Sequence, residues 1–573
     1  MNLKKYFLLI IIIILLISSC KIFTPEKSVK LTEDLKLDNT ALFIDGCKEK
    51  IIGNYEKASS NFLSCIKTDP SNSAAFYELA DVYNMQKKNK EALIFIEKAI
   101  KIDPVNEWYQ KLYAEILTAS NKFKEAVTVY EKLAKNHADN IEYYYDWAMA
   151  CLYSEKYSDA IEVYNIIEQK TGISEDISLQ KEKIYINLNN FNKAVDELLK
   201  LITEFPSETK YYSYLADLYM AKNKTNEAYE LYQKILKIDP DDGNVHLSLA
   251  ELYRIKGEKE KSFSELKLAF SNINLDIDTK IKILLSYYTL TENSNLLKEQ
   301  AYTLINLMIS ANYSDAKAYS IYGDFLYRDK KLKEAKDQYL KVISLDSSRY
   351  VIWEQLLFIE ADLNDNKALE NESKRAISLF PEQATLYLFN GAANYVLKNY
   401  TDAISSLNTG ISLVVYNDDL LKRFYTYLGD SYHAIKNTKD AFINYEKVIK
   451  IDPENDYVLN NYSYYLSLLG VDLDKAEKMS KKAVDINPTN SNYLDTYGWI
   501  LYKEEKYSDA QIFIEKAIKN GGDSNSVIVE HLGDILFKLG QPAKALENWI
   551  KAKEIGTGSD FLEKKINDKT LYE

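Results

Sequence analysis

Residues that commonly hold metals or carry out covalent chemistry are scarce in this sequence. It has only four histidines among 573 residues: His137, His246, His433 and His531. A zinc site needs three or four ligands that converge on one point, and these histidines are scattered, so we expect no such site. His433 and His531 lie on the first helices of their repeats, where we expect partly exposed or capping roles. The sequence also lacks a glycine-rich phosphate loop and a nucleophile elbow. We therefore predict a protein that is not an enzyme and that has no metal and no cofactor.

Cysteine is equally scarce, with four residues in the whole chain. Cys20 belongs to an amino-terminal export signal described below, which leaves Cys47, Cys65 and Cys151. An odd number of cysteines excludes a full disulfide framework. The sequence leaves open whether Cys47 and Cys65 are bridged, and buried free thiols are the default expectation.

Positive charge is outnumbered along the chain. There are 72 lysine and arginine residues against 85 aspartate and glutamate residues, which gives a net charge of −13. Loss of residues 1–19 would remove Lys4 and Lys5 and no acid, so the net charge would change from −13 to −15. Proteins that bind nucleic acid need basic surface to neutralise phosphates. Nucleic acid is therefore not an expected partner.

One short sequence motif recurs along the chain. "EALIFIEKAIKIDP" at residues 91–104 returns as "DAFINYEKVIKIDP" at residues 440–453. The second residue of this motif is usually alanine, and we call it the marker alanine. It recurs at a constant interval, at Ala58, Ala92, Ala126, Ala160, Ala194 and Ala228. A fixed period in the range of about 20–50 residues is typical of a stacked repeat array.

Two insertions interrupt this period. The step of the marker position from Ser262 to Ala301 and the step from Ala403 to Ala441 are both longer than the constant interval. We expect breaks in the array at these points and divide the chain accordingly. The predicted segments are a signal peptide at 1–19, a tether at 20–39, three sub-arrays at 40–275, 276–415 and 416–556, and a capping helix with a tail at 557–573.

Each period contains two helical halves. Apolar residues recur at i, i+3, i+4 and i+7 both in "AAFYELADVYNMQ" at residues 74–86 and in "KEALIFIEKAIKI" at residues 90–102. A polar turn separates the halves, and an Asp-Pro or Asn-Pro pair follows the second half, where proline prevents further helix. The repeated unit is therefore predicted to be an antiparallel helix pair.

These residues resemble the tetratricopeptide repeat family, whose pattern has small residues at positions 8, 20 and 27, aromatics at positions 11 and 24 and proline at position 32. The repeat around Ala228 matches with Ala216, Tyr219, Tyr232 and Pro240. The resemblance implies an all-α, right-handed superhelical solenoid of about fifteen antiparallel helix pairs. Some repeats are degenerate, such as those in which Ser262 and Leu369 replace the marker alanine.

The first twenty residues, "MNLKKYFLLIIIIILLISSC", have the layout of a secretory signal. Their end resembles the lipobox of bacterial lipoproteins, which implies cleavage before Cys20 and lipid attachment to its sulfur. An ordinary signal peptide with an incidental cysteine is the alternative. The resemblance implies a protein anchored by lipid to the bacterial envelope, in the outer membrane and facing the periplasm.

The resemblance also implies where partners bind, because positions 2, 5, 9, 12 and 13 of the first helix line the concave groove of this family. Position 9 is mostly acidic. The candidate partner-binding residues are Asp81, Glu115, Asp217, Glu251, Asp324, Asp430 and Asp534, together with the groove aromatic Trp499. Further aromatics at groove positions are Tyr77, Trp108, Tyr145, Tyr153, Tyr327 and Tyr502. Acids beside aromatics suit cationic, partly apolar segments, although an exposed polar position would produce the same bias without binding.

The carboxy-terminal repeats, from "NSNYLDTYGWILYKEEKYSDA" at residues 490–510 onward, resemble long envelope lipoproteins that act as adaptors for proteases and cell-wall hydrolases. We therefore predict a non-catalytic scaffold that binds envelope proteins in its groove, such as a protease, a cell-wall hydrolase or a secretion component. Two alternatives stay open. One is a component of a secretion or motility machinery, and the other is a lipoprotein that binds peptidoglycan or another glycan.

Overall fold

The computed structural model of the chain describes residues 32–290 and 294–573. The predicted signal peptide, Cys20 and the first part of the predicted tether lie outside the described residues. The described residues form helices and no strand. They form two compact units, which we call the amino-terminal unit, ending at Glu258, and the carboxy-terminal unit, beginning at Lys259. The sub-array boundaries at 275 and 415 stay predictions.

The helices of each unit follow one another with short connections. The amino-terminal unit contains α1 Glu33–Ile51, α2 Tyr55–Thr68, α3 Ser73–Met85, α4 Asn89–Ile102, α5 Glu107–Ala119, α6 Phe123–Asn136, α7 Ile141–Tyr153, α8 Tyr157–Thr171, α9 Glu175–Asn187, α10 Phe191–Glu204, α11 Thr209–Ala221, α12 Thr225–Ile238 and α13 Gly243–Ile255. The carboxy-terminal unit contains α14 Lys259–Ser271, α15 Ile277–Leu290, α16 Asn295–Ala311, α17 Ala316–Arg328, α18 Leu332–Leu345, α19 Tyr350–Asp362, α20 Asn366–Leu379, α21 Ala384–Val396, α22 Tyr400–Ser412, α23 Asp418–Ala434, α24 Thr438–Ile451, α25 Asp456–Leu469, α26 Leu473–Ile486, α27 Ser491–Lys503, α28 Tyr507–Lys519, α29 Ser526–Lys538, α30 Pro542–Ile555 and α31 Leu562–Asp568.

The order of the helices confirms the predicted all-α repeat architecture. Helices α1 to α12 form six consecutive pairs in the amino-terminal unit, which ends with α13, and helices α15 to α30 form eight consecutive pairs in the carboxy-terminal unit, which begins with α14 and in which α31 follows the last pair. The first helix begins at Glu33, ahead of residue 40, where we placed the start of the array. Glu33 and Asp34 stand in its first turn, where negative charge stabilises the amino terminus of a helix.

Marker alanines form the contact surface between the helices. Ala58, Ala92, Ala126, Ala160, Ala194 and Ala228 are all fully buried. A small side chain at this position lets two helix backbones approach closely, while larger residues such as Phe62 and Ile96 fill the space beside it. The marker alanines that recur at a constant interval in the sequence are therefore the residues that recur at that interval in the core.

The turn inside each pair has a recurrent backbone conformation. Its middle residue has a positive φ at Lys87, Asn121, Glu155, Asn189 and Asn223, which recur at the same interval as the marker alanines, and Gly257 continues the series. The left-handed conformation costs a residue with a side chain roughly 1 kcal/mol, and asparagine and glycine tolerate it best. The short turn holds the two helices of a pair side by side.

The second insertion lengthens a helix. Helix α23 has 17 residues, whereas α21 and α27 have 13. The extra residues extend the amino-terminal end of the helix, which Asn417 caps by accepting a hydrogen bond from the backbone of Leu420. Within the described ranges, no helix is both long and apolar enough to cross a lipid bilayer.

Candidate functional site

The acids at position 9 have different environments in the two units. In the carboxy-terminal unit they face an aromatic residue fifteen positions later, on the second helix of the same pair. The indole nitrogen Nε1 of Trp549 donates to Oδ1 of Asp534 at 2.8 Å, and the hydroxyl of Tyr339 donates to Oδ1 of Asp324 at 2.5 Å. These carboxylates therefore hold the core aromatics in place.

Asp430 has the most complete set of partners of this kind. Its Oδ1 accepts a hydrogen bond from the Tyr445 hydroxyl at 2.7 Å, and its Oδ2 accepts one from the Tyr457 hydroxyl at 3.0 Å. Burial raises the pKa of Asp430, and the two hydroxyl donors partly oppose that rise. Because Tyr445 lies on α24 and Tyr457 on α25, one carboxylate connects three helices.

These contacts correct one expectation. We expected position 9 to face the groove and to be exposed, but Asp430 and Asp534 are 6% and 2% exposed. The correction has a physical cause, because a carboxylate that accepts hydrogen bonds from a core hydroxyl or indole is drawn into the interface between helices. Asp324 is half-buried.

The candidate acids of the amino-terminal unit are more accessible. Asp81 is half-buried and lies 2.9 Å from the ammonium of Lys50. Glu251 is exposed and receives two hydrogen bonds of 2.6 Å from the guanidinium of Arg254, one turn away. Glu115 and Asp217 are exposed, and desolvation raises the pKa of Asp217.

Three carboxylates form an acidic row along the first helices of three successive pairs: Asp81 on α3, Glu115 on α5 and Asp146 on α7. Desolvation raises the pKa of Glu115, Asp146 and Asp81 raise it further, and Lys111 lowers it. Desolvation likewise raises the pKa of Asp146, and Lys111 opposes that rise. The row is therefore a surface with an excess of negative charge, in which Lys50 pairs with Asp81 and Lys111 lies near Glu115 and Asp146.

Asp146 was not among the binding residues predicted from the sequence. It lies three residues before position 9 of its repeat, which Met149 occupies, so a count of position 9 alone passes over it. The equivalent residue two periods earlier is Glu78, which pairs with Lys50. The row can be recognised in the sequence only when acidic residues are sought both at position 9 and at the position three residues before it.

The predicted groove aromatics also divide between the units. Trp108, Tyr145 and Tyr153 are exposed, with Trp108 at 58%. Trp499 and Tyr502 are buried, and the Trp499 ring stacks on His531 with a centroid distance of 4.0 Å.

Two further predicted groove aromatics, Tyr77 and Tyr327, are half-buried. The Tyr77 ring stacks on Tyr109 with a centroid distance of 5.0 Å. Together with the exposed rings, Tyr77 belongs to the amino-terminal unit, which therefore carries most of the accessible aromatic surface predicted for the groove.

His531 departs from the expectation of a partly exposed or capping residue. It is buried, and its Nδ1 lies 2.8 Å from Oδ1 of Asp495. Burial by itself lowers the pKa of His531, but the neighbouring carboxylates, above all Asp495, outweigh burial and raise that pKa above its ordinary value. The ring therefore fills the space between Trp499 and an acidic neighbour in the last two repeats.

The three described cysteines are free thiols. Cys65 and Cys151 are buried and Cys47 is partly buried, and the Cys65 thiol lies 3.5 Å from the carbonyl oxygen of Asn39. Burial raises the pKa of Cys151 to about 11, which makes its thiolate rare at neutral pH. Over residues 32–290 and 294–573, no group of three or more potential ligands is arranged to hold a metal ion.

Family models match four parts of the chain. Tetratricopeptide repeat models match residues 52–107, 209–242 and 423–455. A model described as anaphase-promoting complex, cyclosome, subunit 3 matches residues 85–167.

Three curated relatives match parts of the chain. The TPR repeat-containing protein PA4667 of Pseudomonas aeruginosa is 31% identical over 87 residues, which are 15% of this chain and 14% of the relative. Protein O-mannosyl-transferase TMTC3 of Homo sapiens is 26% identical over 209 residues, 36% of this chain and 23% of the relative. Type IV pilus assembly protein PilF of Pseudomonas aeruginosa is 25% identical over 131 residues, 22% of this chain and 51% of the relative. The chain thus spans at most about half the length of these relatives.

Solved structures of helical repeat proteins also match. The APC/C hetero-tetramer Cut9-Hcn1 matches with a TM-score of 0.36 and 11% identity, covering 94% of this chain and 97% of that one. A tetratricopeptide repeat protein from Parabacteroides merdae matches with a TM-score of 0.27 and 18% identity, covering 47% and 99%. The period of the buried alanines, the consecutive helix pairs within each unit and the three matched repeat models lead to one conclusion: the chain contains tetratricopeptide repeats.

Proposed function

We propose that the protein is a non-catalytic scaffold that binds other proteins and is anchored through Cys20 to a bacterial envelope membrane. In this proposal it lies in the outer membrane and faces the periplasm, and its partners are envelope proteins such as a protease, a cell-wall hydrolase or a secretion component. The observation that carries the binding role is the acidic row of Asp81, Glu115 and Asp146 in the amino-terminal unit.

The electrostatics of the row favour a cationic partner. Desolvation and mutual repulsion raise the pKa of Glu115 and desolvation raises that of Asp146, so each carboxylate is less stable in its charged form than it is in water. A lysine or arginine of a partner would relieve this repulsion. Lys111 opposes the rise in pKa of Glu115 and of Asp146 only in part, so a cationic group of a partner would stabilise both carboxylates further.

Exposed aromatic rings on the same helices add to this surface. Trp108 lies on α5, as Glu115 does, and Tyr145 lies on α7 next to Asp146. An ammonium or guanidinium group over such a ring gains roughly 0.5–1 kcal/mol at an exposed site. The combination favours segments that carry both positive charge and apolar surface.

Crosslinking in intact cells followed by mass spectrometry tests the binding role. We expect the double substitution Glu115→Lys/Asp146→Lys to remove partner crosslinks from α3, α5 and α7, because like charges would then face the partner. The matched control is Glu125→Lys/Glu162→Lys, which makes the same change of charge at exposed positions of α6 and α8. Equal crosslinking by both variants would contradict a binding role for the row.

The anchor needs a separate test. We expect the mature protein to begin at Cys20, to carry lipid and to partition into detergent, and the Cys20→Ser variant to lose the lipid. Mass spectrometry of the amino-terminal peptide checks this directly. A mature chain that still contains residues 1–19 would exclude the anchor and leave the binding role unaffected.

The similarity to PilF supports a second candidate function, as a component of a motility or secretion machinery. The matched segment covers 51% of that pilus assembly protein. This role predicts a stable complex of fixed stoichiometry and a transport or motility defect when the gene is deleted. A scaffold for hydrolases or proteases would leave motility intact.

A further inference from the structure

The carboxy-terminal segment of the chain, residues 559–573, lies against the surface of the last two repeats. We call this surface the terminal groove, and it is formed by side chains of α27 and α29. The residues of these two helices that contact the segment are Tyr502, Lys503, Glu530, Asp534 and Lys538. Helix α30 also packs against α31, and its Lys553 pairs with Glu563 of the segment at 2.8 Å. We expected this segment to be a polar helix that closes the exposed end of the stack, and its contacts are more specific than that role requires.

Lys565 makes the central contact. It is 3% exposed, and its Nζ lies 2.9 Å from Oε1 of Glu530 and 2.8 and 2.6 Å from the two carboxylate oxygens of Asp534. Glu530 and Asp534 are both almost fully buried. Removing this cation would leave two buried carboxylates without their counter-charge, which is destabilising for as long as they stay buried.

Neighbouring contacts place the segment around this cation. The backbone nitrogen of Ser559 donates to Oε2 of Glu530 at 2.6 Å, and the side chain of Leu562, one turn before Lys565, is fully buried. The segment therefore presents a lysine and an apolar residue on the same helix face, at a spacing of three residues.

The far end of the segment carries the opposite charge. The Glu573 carboxylate accepts a hydrogen bond from the Tyr502 hydroxyl and lies 3.2 Å from the ammonium of Lys538 and 3.9 Å from that of Lys503. The acidic side chains of the groove pair with a lysine of the segment, and the lysines of the groove pair with a glutamate of the segment. This charge pattern fixes the direction in which a segment lies in the groove.

The connection to the segment is suited to displacement. Helix α31 has only seven residues and no side-chain cap at its amino terminus. A helix this short is unstable alone in water, so its order depends on the contacts with the groove. Gly558 has φ +60° in the linker before it, a conformation that a residue with a side chain rarely adopts.

We propose that residues 559–573 are a displaceable intramolecular ligand of the terminal groove. The competitor that displaces them is a segment of a partner protein that presents a lysine three residues after an apolar side chain. This inference rests on the proposed function as a protein-binding scaffold and assigns a second site and a ligand class to it. In the free protein residues 559–573 occupy the terminal groove, and in the complex a segment of the partner occupies it instead.

A peptide binding experiment tests the proposal. A fluorescent peptide of residues 559–573 is titrated into a chain that ends at Gly558 and into the full chain. We expect saturable binding to the shortened chain and at least tenfold weaker binding to the full chain, where the tethered copy competes. The Lys565→Met peptide should bind at least tenfold more weakly than the unmodified peptide. The matched control is the Lys564→Met peptide, which loses the same charge at an exposed neighbouring position and should bind normally.

Hydrogen exchange on the full chain provides a second measurement that does not depend on the shortened chain. With Lys565→Met we expect faster exchange in α31 and unchanged protection in α29 and α30. Loss of protection in all three helices would identify the segment as part of the structural core and overturn the proposal. Equal peptide binding to both chains, or none to the shortened chain, would also overturn it. These outcomes are independent of the crosslinks at the acidic row, so failure here would leave the proposed scaffold function standing.

Discussion

At the scale of single residues, the same amino acid at the same repeat position has different roles. Asp217 and Asp430 both stand at position 9, and in both repeats a tyrosine follows fifteen residues later at position 24. Asp430 receives a second hydroxyl, from Tyr457 in the next pair, and is buried, whereas Asp217 is exposed. A buried carboxylate needs enough donors to replace its hydration. The neighbouring repeat therefore decides whether an acid belongs to the core or to the surface.

Glu360 is a buried carboxylate with too few donors. It is fully buried, and the Lys336 ammonium lies 3.3 Å from its Oε1. Burial raises the pKa of Glu360 from 4.5 to about 7, against the opposing effect of Lys336, while Glu372 and Asp365 add to the rise. Because the folded-state pKa is the higher one, the charged form destabilises the fold, and stability falls as the pH rises from about 4.5 through about 7.

We predict that Glu360→Gln stabilises the protein above pH 7 and has little effect near pH 4.5. The gain at pH 8 is at most about 3.5 kcal/mol, since the pKa of Glu360 rises from 4.5 to about 7 and each pH unit of difference corresponds to about 1.4 kcal/mol. Urea midpoints measured by circular dichroism at pH 5 and pH 8 check it. Glu382→Gln, at an exposed position, is the control, and equal effects of both substitutions would contradict the assignment.

At the scale of helices, close packing inside a pair depends on glycine at position 8. A Cβ added at Gly429 would overlap the ring of Tyr445, whose hydroxyl is held by Asp430. A Cβ added at Gly323 would lie 3.0 Å from the nearest ring atom of Tyr339. At both positions the small residue of the repeat pattern makes room for a tyrosine of the second helix, and the available space differs between the two sites.

We predict that Gly429→Ala destabilises the α23–α24 pair by about 1–3 kcal/mol through overpacking. Gly323→Ala should be closer to neutral, because the gain in helix propensity of roughly 1 kcal/mol offsets a milder clash. Urea midpoints of the two variants measured under identical conditions check the order. A larger loss for Gly323→Ala would show that Tyr445 moves aside more easily than its hydrogen bond suggests.

At the scale of the whole molecule, each helix pair contacts mainly its neighbours in the chain, so damage should stay local. We predict that Ala126→Phe, which places a large ring at a fully buried position, removes hydrogen-exchange protection from α5 to α7. Protection in α27 to α30 should not change. Lys124→Phe, on the exposed side of the same helix, is the control. A uniform loss of protection along the chain would contradict the nearest-neighbour description.

The fold was largely predictable because the sequence features that specify it act over short distances along the chain. The alanine period, the two apolar stripes and the terminating prolines each act within about one turn or one pair of helices, and the helix pairs observed within each unit follow them. The candidate site was predictable only in part. Position 9 alone indicated Glu115 but not Asp146, and it did not distinguish exposed acids from Asp534, which Lys565 neutralises from 31 residues away.

The sequence by itself determined the helices, their pairing and their number, because short-range periodicity and small residues at fixed spacing leave few other ways to bury the apolar stripes. Only the tertiary structure decided which polar residues are accessible. That choice depends on neighbours brought together from different helices, such as Tyr457 beside Asp430 and Lys565 between Glu530 and Asp534. The free energy of a charged group depends on everything within a few ångströms, and no spacing along the chain encodes that set of neighbours.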